Sequence, residues 1–166
     1  SWISNLAIES SFDESDVASA FRLAMSYGFT SAEAQRLTRA MLDFSAGSGA
    51  SSDAMNSIAL ALGQIRARGK LAGQEIIQLI NAGVDVYGIL SRAFGKPTDE
   101  IQRMVEQGLI PANDAIEAII GSFEEFYAGA GKSQANSISG LITTLQELKN
   151  VSLREFFGSA IEELRP

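Results

Sequence analysis

The placement of glycine limits this chain more than any other feature. Gly28, the Ala46–Ser52 stretch AGSGASS, Gly69, Gly83, Gly95 and Gly108 divide the sequence into segments about one helix long. Within those segments apolar residues recur at steps of three and four, the period of one helical face. No run of four to eight residues alternates in the strand manner with β-branched enrichment. The expected fold is therefore all-α: a compact multi-helix bundle of short helices with glycine joints, plus a longer C-terminal helix.

The helices can be placed from their ends. The first is expected from about Asp13 or Ser15, carrying Val17, Phe21 and Leu23 before Gly28. Thr30 and Glu33 have capping-box spacing, which predicts a helix from Ser31 toward Phe44. The AGSGASS stretch should stop it as a flexible loop. Met55, Ile58, Ala59, Leu62 and Ile65 form one apolar stripe on a helix ending at Gly69. Shorter helices are predicted over 74–81 and 86–94. Thr98 is expected to cap a segment through Gln107, and Pro111 to open a helix reaching about Tyr127. Setting Gly69 against Gly108 also reveals a faint repeat, in which Leu71 faces Ile110, Glu75 faces Asp114, Ile77 faces Ile116 and Ile80 faces Ile119.

From Ser133 onward the pattern changes. Ile138, Leu141, Leu145 and Leu148 follow the spacing of a coiled-coil seam, although Gly140 lies inside it, and Phe156, Phe157, Ile161 and Leu164 supply a second apolar patch. The chain is thus expected to comprise a leader (1–12), a helical domain (13–131) and a C-terminal helical segment (132–166). It opens Ser1-Trp2 without methionine, as expected of a piece of a longer protein.

Composition narrows the chemistry. With 166 residues the chain can bury roughly 70% of the surface its unfolded form exposes, so it needs no staples. It has no cysteine, hence no disulfide or thiolate, and no histidine, the usual general base and metal ligand near neutral pH. A formal charge of −7 opposes binding to phosphate backbones. Arg66, Arg68 and Lys70 form the basic cluster and close a predicted helix, where cations meet the negative end of its dipole. No apolar run approaches the roughly 20 residues that cross a bilayer, so a soluble, unanchored domain is expected.

Three chemical motifs invite testing. GAGKS at 129–133 resembles the end of a phosphate loop, but the position requiring the first glycine is Phe126, and the preceding residues read as a helix end instead of a strand. A hinge is expected there, with Gly129 and Gly131 letting one helix end and the next begin. Glu124 and Glu125 are adjacent on a helix and point about 100° apart, so they cannot flank one glycosidic bond and should form a solvated face. Asp13, Glu14 and Asp16 crowd a helix start without the alternating acids and glycine of a calcium loop. No catalytic, cofactor-binding or metal-binding residue is assigned.

The segment Ala61–Gly95, ALGQIRARGKLAGQEIIQLINAGVDVYGILSRAFG, resembles the tape measure proteins of phage and prophage tails. The resemblance rests on Ala61, Leu62, Gln64, Ile65, Gly69, Lys70, Leu71, Glu75, Gln78, Leu79, Gly83, Tyr87 and Leu90. It extends through EIQRMVEQGLIPANDAIEAI and FYAGAGKSQANSISGLITTLQELK, so that it covers roughly 46–149. Asp85 and Pro111 depart from the family pattern, yet each is a residue that can start a helix. The resemblance implies a structural protein of tail assembly and tail-length determination, located in the virion tail and assembled in the bacterial cytoplasm. It implies tube, tip and assembly-chaperone proteins, or further copies of itself, as partners, and no direct contact with nucleic acid or membrane. The glycine joints argue for a folded segment before or within the extended ruler. A cell-wall hydrolase module of such a protein, and a helical adaptor unrelated to phage, are the alternatives.

Overall fold

A computed structural model describes residues 1–10 and 12–132 of the chain. Among these residues the named elements are eight α-helices: α1 (Trp2–Ser10), α2 (Glu14–Ser26), α3 (Ser31–Ser48), α4 (Ser52–Arg68), α5 (Gly73–Asn81), α6 (Val86–Phe94), α7 (Thr98–Glu106) and α8 (Ala112–Tyr127). The all-α expectation holds, and the bounds of α4 to α8 follow the glycine joints closely. The predicted seam at Ile138, Leu141, Leu145 and Leu148, and the patch from Phe156 to Leu164, lie outside the described residues.

The centre of the bundle is α4. Its predicted stripe of Met55, Ile58, Leu62 and Ile65 is fully buried, because α2, α3, α5 and α8 all pack around it. Each such side chain gains about 1.5–3 kcal/mol on leaving water. Two local devices set the ends of these helices. Thr30 and Glu33 form the capping box, with the Thr30 hydroxyl accepting from the Glu33 N–H and the Glu33 carboxylate from the Thr30 N–H. Gly69 ends α4 at φ 82°, a left-handed conformation that costs a residue with a Cβ roughly 1 kcal/mol or more.

Three local expectations need correction. Residues before Asp13, expected as a leader, hold α1, whose Leu6 and Ala7 join the core against α2 and α3. The AGSGASS stretch was expected to be a loop from Ala46, but α3 continues to Ser48 and stops at Gly49. The reason is tertiary. A Cβ at Gly47 would overlap the Tyr127 ring, so glycine here gives α8 room to close against α3. Thr98 does not cap α7, since Pro97 occupies the N-cap and no side chain bonds to that helix start.

The two joints aligned in the faint repeat touch each other, but the helices that follow them do not match. The Leu71 N–H donates to the Ile110 carbonyl (2.9 Å) and the Ala112 N–H to the Gly69 carbonyl (3.1 Å), around an isolated antiparallel bridge between Lys70 and Pro111. Leu71 and Ile110, equivalent in the repeat, thus lie opposite each other in the bundle. Farther along, the phases differ: Ile116 and Ile119 of α8 are buried, whereas Ile77 and Ile80 of α5 are 61% and 46% exposed.

Candidate functional site at the exit joint

α8 is followed by the GAGKS stretch, of which residues 129–132 are described, and this joint is tied to α3. α8 ends at Tyr127, Gly129 turns the backbone at φ 77°, and residues 130–132 are again helical. The expected hinge is therefore a tight corner. It is held from α3. The Asp43 carboxylate accepts from the Gly129 N–H through Oδ2 (3.2 Å) and from the Gly131 N–H through Oδ1 (3.0 Å). Successive glycine amides do gather an oxyanion here, as they would in a phosphate loop, but the oxyanion belongs to the chain itself. Those donors are the free amides of a starting helix, so Asp43 serves as an N-cap supplied from another helix.

Aromatic packing sets the distance over which that cap acts. Phe44, next to Asp43, stacks on Phe123 with centroids 4.3 Å apart and meets the edge of Tyr127 at 5.2 Å. The rings fix α3 against α8, and Asp43 then lies within reach of the corner. Two turns earlier on α3, Arg36 clamps the same two helices. Its Nη1 and Nη2 donate to Glu117 (2.8 and 2.7 Å), and its Nε and Nη2 to Glu124 (3.0 and 2.6 Å). The hydrogen bonds from Arg36 hold the Glu117 carboxyl below the ordinary glutamate range, and donating to Glu117 first and then to Glu124 raises the guanidinium further. Because Arg36 is 43% exposed, the clamp contributes orientation more than stability.

This arrangement bears on the sequence candidates one by one. Glu124 and Glu125 are both exposed, as expected of a solvated face, and Glu124 is also an Arg36 partner. A general acid for glycoside cleavage needs a raised pKa; Glu117 and Glu33 are shifted the other way, Glu33 chiefly by its hydrogen bond with the Thr30 backbone. Asp13 is the N-cap residue of α2, and Glu14 accepts from the Ser4 hydroxyl of α1 (2.8 Å). The three basic residues do not form one patch. Arg66 donates to the Gly28 carbonyl and lies 4.6 Å over Phe29, Arg68 pairs with Glu75, and Lys70 sits beside Gly108. Among the described residues no group of three or more acids could hold a metal ion, and no helix is long and apolar enough to cross a membrane.

A groove of about 320 Å³ runs beside the corner between α1, α3 and the end of α8, lined by Leu6, Arg39, Asp43, Gly129 and Lys132 among others. The family described as "Tape measure protein" matches residues 1–156. The chain belongs to the tape measure protein family. A curated relative, the Mu-like prophage FluMu protein gp42 of Haemophilus influenzae, is 27% identical over 111 residues, which are 66% of this chain and 17% of that protein. The tape measure chain thus spans about a sixth of that relative. No solved structure matches it.

The residues that carry the family likeness are mainly those that make the bundle. Leu62, Ile65, Leu71, Leu79 and Leu90 are core residues of α4 to α6 and the joint between them. Sequence reasoning missed Asp43 and Arg36. The available signal was their spacing: Arg36, Ala40 and Asp43 share one helical face beside the apolar stripe, so both polar groups overlook the neighbouring helix.

The cap makes a local prediction. Replacing Asp43 with alanine removes the acceptor of two amides, at a cost of about 1 kcal/mol. Amide exchange at Gly129 and Gly131 should accelerate about fivefold, with the melting of the bundle little changed. Unaltered exchange at those two amides would show that the carboxylate does not hold the corner.

Proposed function

We propose that this chain is a folded structural and interaction segment of a phage tail tape measure protein, acting in tail assembly and tail-length determination. In this reading it resides in the virion tail after assembly in the bacterial cytoplasm. Its partners are tube, tip and assembly-chaperone proteins or further copies of itself, and it performs no chemistry of its own. The observation that carries the reading is that the helices fold back on one another. Among the described residues the longest helix, α3, has 18 residues and spans about 27 Å, so the bundle is a poor ruler. What it offers is a folded surface, with the joint after α8 held to α3 by Asp43.

An in-frame deletion of residues 1–132 from the phage that encodes them separates the two ways of affecting a tail. As an extended ruler, that stretch would account for about 200 Å of tail at 1.5 Å per residue. As an interaction segment, its loss should leave few tails, or tails of scattered length. Electron micrographs showing a normal yield of virions, uniformly shortened by about 200 Å, would overturn the proposal.

A further inference from the structure

Helix α5 turns an uncharged face to water in an acidic molecule. Its one charged residue, Glu75, is buried, and its exposed residues are Gly73, Gln74, Ile77, Ile80 and Asn81. Among the described residues the other large exposed apolar residues, Ile8, Met25, Leu109 and Phe126, stand singly on different elements. Depletion of charge around an apolar centre is the mark of an interface core. The internal repeat points the same way. In α8, which packs along α3 and α4, the equivalents of Ile77 and Ile80 are buried, so α5 carries the same apolar pair without the covering helix.

We propose that α5 is a self-association surface, on which a second copy of this chain docks its own α5 antiparallel about a two-fold axis. Two features of the molecule select that occupant. With a net charge of −7, copies repel over most approaches, and a face without charge is where they meet at least cost. The exposed residues are also self-complementary. Gln74, Ile77, Ile80 and Asn81 form a stripe with amides at both ends and isoleucines between them. Reversing one copy to set Gln74 against Asn81 leaves Ile77 of each copy two residues, about 3 Å along the axis, from Ile80 of the other, within reach of both side chains. An amide both donates and accepts, so amides can pair with each other across the axis, whereas like charges cannot. Antiparallel helices also oppose their dipoles favourably. With nine residues, α5 is only about 14 Å long, so the pairing is weak and matters where copies are concentrated or tethered.

The absence of cysteine permits a clean test on the whole 166-residue chain. Gln74→Cys and Asn81→Cys variants, one carrying a size tag, are oxidised separately and as an equimolar mixture. Antiparallel docking predicts that the mixture gives at least fivefold more cross-linked dimer than either variant alone. Adding Ile77→Lys and Ile80→Lys to both should reduce that product at least tenfold at unchanged helix content, with the serine pair substituted if the lysines disturb folding. Absence of the mixed product, equal cross-linking by a single variant, or a mixed product that survives loss of both isoleucines would each overturn the proposal. The pairing does not depend on a role in tail length, so its failure and that of the tail reading are separately visible.

Discussion

Replacing Phe123 with alanine should destabilise the bundle more than any other aromatic truncation on α8, by about 3–5 kcal/mol. Phe123 is 1% exposed and stacks on Phe44, so the change removes a buried ring and leaves a cavity between α3 and α8. Those two helices also bring Asp43 to the exit corner, so the loss should spread to the Gly129 and Gly131 amides. Denaturant melting should show a lower midpoint with an unchanged slope, and thermal melting a fall of roughly 10 °C. Phe126→Ala is the control three residues on. Phe126 is 58% exposed, its contact being the Arg92 guanidinium at 5.4 Å, and its loss should cost about 0.5 kcal/mol or less. Equal effects of the two truncations would mean that the α3–α8 contact is not the one described.

The contrast between neighbouring phenylalanines shows which part of the fold could be read locally. The stripe from Met55 to Ile65, the capping box at Thr30 and Glu33, and the stop at Gly69 each depend on residues within one or two turns, and the sequence marks them plainly. α1 has no such mark. It is short, carries no acid in its first turn and no base in its last, and is stabilised through Leu6 and Ala7 only once α2 and α3 exist. The passage of α3 through Gly47 fails locally for a related reason. Glycine lowers helix propensity by about 1 kcal/mol, but Tyr127, eighty residues later in the chain, requires the space.

The exit joint divides in the same way. The expected joint is legible in Gly129, whose left-handed φ of 77° few other residues take, whereas Gly131 is helical and is needed for space, since a Cβ there would lie 3.1 Å from Asp43 Oδ1. The two amides gather an oxyanion that no residue of GAGKS supplies. The identity of the oxyanion is fixed by a helix 86 to 88 residues away in sequence, beyond the reach of any short motif. The repeat carries a parallel lesson. Its joints are legible because they pair with each other, but which face of α5 or α8 is buried depends on the neighbours each helix meets, so Ile77 and Ile116 share a sequence position and not an environment.

The second large effect is expected where α5 is fastened to α4. Glu75 is 1% exposed and accepts from Arg68 Nε (3.3 Å) and Nη2 (2.9 Å) through Oε1, while its Oε2 has no protein partner. The side-chain oxygens of Gln64, one turn before Arg68, and Gln78, one turn after Glu75, are likewise buried without a partner. Removing one member of a buried ion pair leaves an uncompensated charge, whereas removing the need for the pair does not. Arg68→Ala should therefore cost about 3 kcal/mol, the low end of such losses because Arg68 itself is 42% exposed. Glu75→Leu, which fills a similar volume without charge, should be neutral or stabilise by about 1 kcal/mol. In the double variant the cost of Arg68→Ala should largely vanish, giving a coupling of about 2–3 kcal/mol in denaturant melts. Simple additivity of the two changes would place the stability of α5 in its apolar contacts alone. Strong coupling would mean that one buried carboxylate decides whether α5, with its exposed isoleucines, stays seated on the bundle.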